Sequence, residues 1–360
     1  MDHKIGSGAR CAMIGYGSWA TALAKVLTEN EPSIGWYVRN PEVLESLRNK
    51  GRNPRYLSNV RFDRTRINPS DDLDRVVSEA DIVILASPSA YLKKTLETLT
   101  VPLKDKFVIS AIKGIVPDDY TTVVEYIHDH YGLSFKQLGI ITGPSHAEEV
   151  SLERLSYLTV VCTDPENSHT IGHKFATEYI KLSYSTDLYG IEYATILKNI
   201  YAVAVGMAVG LGYGDNFLAV LISNSAMEMA RFLRESYPDQ RETRASAYLG
   251  DLLVTCYSVY SRNRKLGLLI GHGCTPLALR VLSLYPFMGT PRKVTGHGRG
   301  RGGCPNPFPL LRVFLNPSVT MCHLPYRTWC AGQEVNTFLF SDSSVTTCPL
   351  FLYFVWRHTP

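Results

Sequence analysis

Three groups of residues have types and spacings that could do chemistry. Lys198, with Asn199 beside it, stands inside residues 191–211, where Ile196, Leu197, Ile200, Val203, Val205 and Met207 fall on nearly every face of a helix. A helix apolar all round is a buried helix, and a buried lysine is costly unless it is paired or deprotonated. Beside a cofactor cleft such an amine is a candidate acid/base; the competing reading is a lysine whose stem reaches solvent near a helix bend. The second group is Gly15-Tyr16-Gly17-Ser18-Trp19-Ala20, between a short apolar run at 10–14 and a helix-forming stretch at 21–27. Gly15 permits a tight turn, Gly17 lets the backbone approach a pyrophosphate, Ala20 allows close helix packing, and the helix N-terminus supplies free N–H groups. An ordinary strand-to-helix turn is the plainer alternative. The third group, Ser261-Arg262-Asn263-Arg264, offers a hydroxyl, a planar fork of donors and an amide, which suits a phosphate monoester, although such residues also make everyday surface loops.

Arg39 follows the apolar segment 34–38, where NAD-selective sites place an acid for the ribose 2′-hydroxyl. Its guanidinium suits a 2′-phosphate or stacks on adenine, so NADP is expected as a cofactor, with NAD as the other option. A solvated arginine at a strand end is the alternative. No His/Cys/Asp cluster has metal-ligand spacing, so no metal is expected, and His146 reads as an ordinary loop histidine.

The elements that must position these groups alternate. Strands are expected at 34–38, 81–86, 106–110 and 138–141, with helices at 91–99 and 121–131. The strand at 106–110 leads into Ala111-Ile112-Lys113-Gly114, and that at 138–141 into Gly143-Pro144-Ser145-His146-Ala147-Glu148-Glu149. Two more strands, 158–162 and 182–185, bracket a helix at 168–179. This alternation predicts a parallel, doubly wound sheet with ligands at the carboxyl ends of its strands. Beyond 186 the period turns helical, with helices expected at 191–211, 216–235 and 246–257, the last carrying Gly250-Asp251.

The chain has 360 residues, 45% of them hydrophobic and 19% charged, which suffices for a large core and excludes disordered, collagen-like and coiled-coil classes. No apolar run reaches the ~18–20 residues of a membrane helix, and the first ten residues lack the apolar core of a secretory signal, so a cytoplasmic protein is expected. Residues 1–273 carry 29 Lys+Arg against 31 Asp+Glu, whereas the last 87 carry 8 against 2. The net +4 is thus a property of the tail, and no nucleic-acid-binding face is expected. The tail also holds Cys274, Cys304, Cys322, Cys330 and Cys348, half of the chain's prolines, and only Glu334 and Asp342 as acids. Its glycine-rich run at 296–303 has neither a strand nor a helix period, and its apolar end at 349–356 reads as an aggregation hazard rather than an anchor.

Together the segments GYGSWATALA, IKG, GPSHAEE, LKNIYAVAVG, GDLLVTCYS and SRNRKLG occur in the order found in NAD(P)-dependent glycerol-3-phosphate dehydrogenases of bacterial type, which the chain resembles over about residues 8–273. The resemblance implies a Rossmann doubly wound sheet over 1–186, then an all-α substrate domain like that of the 6-phosphogluconate dehydrogenase group over 187–273. That domain would be truncated, with an irregular tail over 274–360 in its place. It implies Ser18, Trp19, Arg39, Lys113, Ala147 and Arg262 on the dinucleotide, and Lys113, Gly143 and Ser145 on the substrate. Lys198 matches the family's proton acceptor, and Asn199, Asp251, Ser261, Arg262 and Asn263 match residues around glycerol phosphate. The implied reaction is reversible hydride transfer between NAD(P)H and dihydroxyacetone phosphate, giving sn-glycerol 3-phosphate for phospholipid synthesis. The implied partner is a small molecule, and a homodimer is the candidate assembly. Lys113, as a second cation, would lower the Lys198 pKa, and Asp251 would oppose that shift.

After Gly273 the family continues with a tyrosine-serine/threonine-valine stretch, where this chain reads Cys274-Thr275-Pro276-Leu277-Ala278-Leu279-Arg280. A one-nucleotide offset from the third base of the Cys274 codon can read Tyr-Ser-Val-Ser-Ser-Ala, so residues 274–360 read as a frameshifted translation. Two other functions stay open at this point. One is a dinucleotide-binding protein without turnover. The other is a related β-hydroxyacid or sugar-acid dehydrogenase, against which the Ser261-Arg262-Asn263 clamp argues.

Overall fold

Short apolar runs followed by helix formers build an eight-stranded sheet flanked by helices in this computed structural model, which describes residues 3–117, 119–274, 325–330 and 333–338. The first elements are β1 (Cys11–Ile14), α1 (Ser18–Asn30), β2 (Ile34–Tyr37), α2 (Pro41–Lys50), β3 (Ile67–Ser70), α3 (Leu73–Ser78), β4 (Ile82–Leu85) and α4 (Ser89–Leu96). Next come β5 (Phe107–Ser110), α5 (Val123–Tyr131), β6 (Leu138–Thr142), α6 (Ala147–Ser151), β7 (Ser156–Cys162), α7 (Pro165–Phe175) and β8 (Ile180–Ser185). The strand order is β3-β2-β1-β4-β5-β6-β7-β8, the doubly wound order of dinucleotide-binding sheets extended by two strands. Every residue of β1, β4 and β5 is buried, as central strands covered on both faces require.

The sheet is not wholly parallel, which corrects the expectation. β7 runs antiparallel to β6, pairing Gly139 with Cys162 and Thr142 with Thr159. The connection between them holds only the five-residue α6, too short to carry the chain back along the sheet for a parallel crossover. Elements outside the expected set include β3, α2, α3 and α6. β3 reads Ile-Asn-Pro-Ser, a turn-like sequence tolerated because the strand is at the sheet edge, where the missing N–H of Pro69 costs no ladder bond. α2 carries ordinary signals: Asn40 caps the Val43 N–H at 3.0 Å, Pro41 opens the helix, and Gly51 closes it at φ +62°.

The helical part comprises α8 (Leu188–Gly210), α9 (Asp215–Ser236), α10 (Asp251–Tyr257) and α11 (Arg262–Gly271). A single π turn at Ser246–Gly250 precedes α10, so the helix expected over 246–257 is two pieces meeting at Asp251. The Ser261-Arg262-Asn263 stretch opens α11 rather than forming a loop, with Ser261 Oγ accepting the Arg264 N–H at 3.2 Å. α8 and α11 touch backbone to backbone, since a Cβ on Gly206 would lie 2.1 Å from the Arg264 carbonyl oxygen and one on Gly267 1.9 Å from that of Val203. By length and mean hydropathy (1.3) α8 reaches the size of a membrane span, although Glu192 and Lys198 interrupt its apolar run. It does so as a core helix, with 56% of that apolar window buried inside the protein.

Glu192 ties α8 to the sheet layer. It is 2% exposed, and its Oε1 accepts the Val124 N–H of α5 at 3.1 Å. Burial pushes its carboxyl up to about 8. A carboxyl raised in the fold contributes stability that is complete below its unfolded pKa and is lost as pH rises through the folded value. Glu192→Gln keeps an acceptor for Val124 and abolishes the titration. We expect the variant to resist alkaline destabilisation, with Tm at pH 9 raised by about 2–4 °C for each kcal/mol recovered and little change at pH 5. Parallel Tm–pH curves for the two proteins would remove the assignment.

The chain divides into two compact units, 1–288 and 289–360. The junction expected at 186 falls inside the first, between β8 and α8. The tail expected to be irregular lies outside the described residues except for Cys274 and, in the second unit, β9 (Pro325–Cys330) and β10 (Gln333–Phe338). These two strands pair antiparallel, with Cys330 opposite Gln333, so this part of the tail is regular.

Candidate active site

The glycine turn sits at the carboxyl end of β1. Gly15 has φ +123°, and a Cβ there would lie 2.8 Å from the backbone of Ala86, so only glycine lets the chain cross the end of β4. Its carbonyl accepts the Trp36 indole N–H at 2.7 Å. Gly17 is the N-cap of α1, where no side chain caps the first turn, and a Cβ on Gly17 would meet nothing within 4 Å. Ser18 and Trp19 open the helix, and Ala20 is fully buried beneath it. Uncapped N–H groups facing open space at a helix N-terminus fit a dinucleotide's pyrophosphate. Trp19 Nε1 is buried without a hydrogen-bond partner among the described residues. Arg39 is exposed just beyond β2.

The other expected residues arrive from separate elements. Lys113 follows β5, Gly143 and Ser145 follow β6, Lys198 and Asn199 lie in α8, Asp251 begins α10, and Asn263 lies in the first turn of α11. Asp251 is 1% exposed and joins them. Its Oδ2 lies 2.5 Å from Lys198 Nζ and 3.6 Å from Lys113 Nζ, and accepts the Thr142 hydroxyl at 3.3 Å. The Lys198 side chain is 4% exposed, which excludes a stem reaching solvent. Lys113 Nζ donates to the Gly143 carbonyl at 3.2 Å and stands 5.5 Å from the centroid of the Trp19 ring, bridging the glycine turn and the polar knot. Asn199 braces the group: its Nδ2 donates to the Lys113 carbonyl at 3.1 Å, and its Oδ1 accepts Asn263 Nδ2 at 2.8 Å.

Gly143 is the second glycine that the backbone demands, at φ +125° with a Cβ position 2.5 Å from the Tyr157 carbonyl oxygen. Ser145 is buried and donates to the Gly143 carbonyl at 3.2 Å, and Ala147 opens α6. Ser261 is buried and spends an acceptor on the α11 cap, while Arg262 is exposed at the head of that helix. Arg39 and Arg262 are exposed, whereas Lys113, Gly143, Lys198, Asn199, Asp251 and Asn263 are joined in the knot by ion pairs and hydrogen bonds, with Ser145 bonded to the same Gly143 carbonyl.

Electrostatics follow from this packing. Burial pulls the Lys198 amine down to about 7, with Lys113 adding to the shift and Asp251 opposing it. Burial works to raise the Asp251 carboxyl, but Lys113 and Lys198 overcome it and hold the group below its usual range. His146, expected to be an ordinary loop histidine, N-caps α6 within the field of the same two lysines; burial first and their charges second lower its pKa. Thr142 was outside the expected set, and a lone threonine at a strand end carries no spacing signal that would have found it. Among the described residues, no three His, Cys, Asp or Glu side chains are grouped to hold a metal ion.

A glycine turn that fits a dinucleotide's pyrophosphate is linked through Lys113 to a buried amine of lowered pKa, a combination suited to an alcohol–ketone oxidoreductase. The family description "NAD-dependent glycerol-3-phosphate dehydrogenase N-terminus" matches residues 10–168, and its C-terminal counterpart matches 187–282, running past Gly273, where the resemblance was expected to stop. A glycerol-3-phosphate dehydrogenase (NAD(P)+) of Chlorobium limicola is 36% identical over 73% of this chain and 79% of its own length, and one of Staphylococcus carnosus is 32% identical over 74% and 81%. The crystal structure of glycerol-3-phosphate dehydrogenase from Coxiella burnetii superposes with a TM-score of 0.69 at 25% identity, covering 77% of this chain and 85% of that one. Both halves of the signature, in order, cover β1 to β7 and the helices that carry the knot: the chain belongs to the NAD-dependent glycerol-3-phosphate dehydrogenase family.

Proposed function

We propose that this chain interconverts dihydroxyacetone phosphate and sn-glycerol 3-phosphate with NAD(P)H, using Lys198 as the proton donor and acceptor. The observation that carries this is the Lys198 amine, buried against Asp251 and brought into a titrating range by burial and by Lys113. When bound, NADPH or NADH would supply the hydride for reduction, and the oxidised form, NADP or NAD, would accept it in oxidation. The turn of Gly15, Gly17, Ser18, Trp19 and Ala20 would hold its pyrophosphate, Arg39 would serve its adenosine end, and Lys113, Ala147 and Arg262 would line it. As hydride reaches C2 of the ketone, the carbonyl electron pair moves onto oxygen and takes a proton from the Lys198 ammonium. Lys198 is left as a neutral amine, which its buried setting tolerates, and Lys113 keeps a positive charge near the new oxygen. In oxidation the same amine removes the hydroxyl proton. Asp251 and Asn199 orient the lysines, Gly143 and Ser145 would contact the substrate carbons' oxygens, and Ser261, Arg262 and Asn263 would hold its phosphate, fixing the geometry for transfer. This reading places the chain in the cytoplasm, supplying a precursor for phospholipid synthesis.

The test is NADPH oxidation by the full-length protein with dihydroxyacetone phosphate. Absence of turnover in a folded protein that binds NADPH overturns the proposal. Arg262→Ala should lower kcat/KM for dihydroxyacetone phosphate by roughly 10–100-fold, the worth of a hydrogen bond to a charged group. Unphosphorylated dihydroxyacetone, which lacks the group that Arg262 would hold, should be a poor substrate of the wild type and nearly unaffected by the substitution. If it served the wild-type protein as well as the phosphate ester does, the clamp assignment would be wrong.

A further inference from the structure

Asn53 lies in the loop between α2 and β3, is fully buried, and has every hydrogen-bonding capacity of its amide in use. Its Nδ2 donates to the Tyr16 carbonyl at 2.8 Å and to Thr21 Oγ1 at 3.0 Å. Its Oδ1 accepts the N–H groups of Arg55 at 3.1 Å and Tyr56 at 3.2 Å. The Thr21 hydroxyl, held by Asn53, donates in turn to the Gly17 carbonyl at 2.9 Å, which also accepts the Thr21 N–H at 2.9 Å. The carbonyls of two successive peptide units in the glycine turn are therefore fixed by a linked pair of side chains, Asn53 from the loop after α2 and Thr21 from α1.

A trans peptide is planar, with its N–H pointing opposite to its C=O. Fixing the Tyr16 carbonyl inward aims the Gly17 N–H outward, and fixing the Gly17 carbonyl along α1 aims the Ser18 N–H out of the helix N-terminus. These are donors in the first, uncapped turn of α1, over the open face of Gly17. We propose that Asn53 is a positioning residue for cofactor binding, setting the direction of the Gly17 and Ser18 N–H groups toward the dinucleotide's pyrophosphate. This rests on the reading of the turn as a dinucleotide site. Preset donors cost little reorganisation on binding, so the effect falls on dinucleotide affinity rather than on the chemical step.

The experiment compares wild type, Asn53→Ala, Thr21→Val and Thr21→Ser by NADPH fluorescence titration and by steady-state kinetics, with Tm as the control for folding. Asn53→Ala should raise Kd and KM for NADPH roughly tenfold, with kcat at saturating NADPH and KM for dihydroxyacetone phosphate changing less than about twofold. Thr21→Val, which removes only the relayed hydroxyl, should raise Kd about threefold, and Thr21→Ser should restore it. If Asn53→Ala does not fold, the threonine pair decides the matter. Folded Asn53→Ala or Thr21→Val protein that binds NADPH as tightly as wild type overturns the proposal while leaving the dehydrogenase reading intact. A wild-type protein that binds no dinucleotide overturns both.

Discussion

Lys198→Ala is expected to lower kcat for reduction of dihydroxyacetone phosphate by about 10²–10⁴-fold, the span of a positioned acid–base group, while Kd for NADPH stays within about threefold. The amine is the one group in the knot that burial brings near neutrality, whereas Asp251 is held ionised by its two lysines and has no proton to give. The wild-type pH profiles should therefore be mirror images. Reduction needs the ammonium, so its rate should fall as pH rises through about 7; oxidation needs the amine, so its rate should rise over the same range. Lys198→Arg separates charge from proton transfer, because a guanidinium stays protonated throughout this range and cannot act as the base. It should lose both directions despite keeping a positive charge. Removing one member of a buried ion pair costs about 3–5 kcal/mol when the other is left alone, yet here Lys113 still faces Asp251 at 3.6 Å and softens the loss. Lys198→Met, which also fills the volume, provides a folded comparison. More than a tenth of wild-type turnover in a folded Lys198 variant would take the proton away from this residue.

What could be read from the sequence was whatever a residue's own backbone or period demands. Gly15 was legible because its turn needs a positive φ and a bare Cα, and β1, β4 and β5 because buried central strands are continuously apolar. The burial of Lys198 was legible because its helix is apolar on every side. Three features were not. The antiparallel β6–β7 pair is decided by how short the connection is, not by either strand's residues. β3 tolerates its proline only because it is an edge strand, whose outer N–H has no ladder partner to lose. Asn53 and Thr142 are single polar side chains whose importance exists only once distant segments meet: Asn53 reaches the glycine turn from the far end of α2, and Thr142 reaches Asp251 across 109 residues of chain. The Ser261-Arg262-Asn263 stretch was recognised for its chemistry but not for its conformation, since the serine that suits a phosphate also caps the helix it begins.

Asp251→Asn should give the second large effect, and its sign tests the electrostatic account independently of Lys198. Asparagine keeps the shape and an acceptor for Thr142 but removes the only carboxylate within 4 Å of either lysine among the described residues. Two cations then face each other in a buried site. Asp251 is what raises the Lys198 pKa against burial and Lys113, so its removal should drive that pKa lower still. The falling limb of the reduction profile should move toward acid by at least about one pH unit, equivalent to 1.4 kcal/mol of lost interaction, and kcat at neutral pH should drop about 10-fold or more. Oxidation should suffer less, because the free amine it needs becomes more abundant, so the ratio of reverse to forward kcat should rise. Stability follows the same logic. A carboxyl whose folded pKa is depressed contributes stability that is present above its unfolded pKa and is lost as pH falls through the folded value. Wild type should therefore outlast the variant in urea at neutral pH, by up to about 3–5 kcal/mol, and the gap should close toward acid as Asp251 in the native protein takes up a proton. An Asp251→Asn protein with an unmoved pH limb would show that Lys198 does not titrate against this carboxylate, whatever its rate.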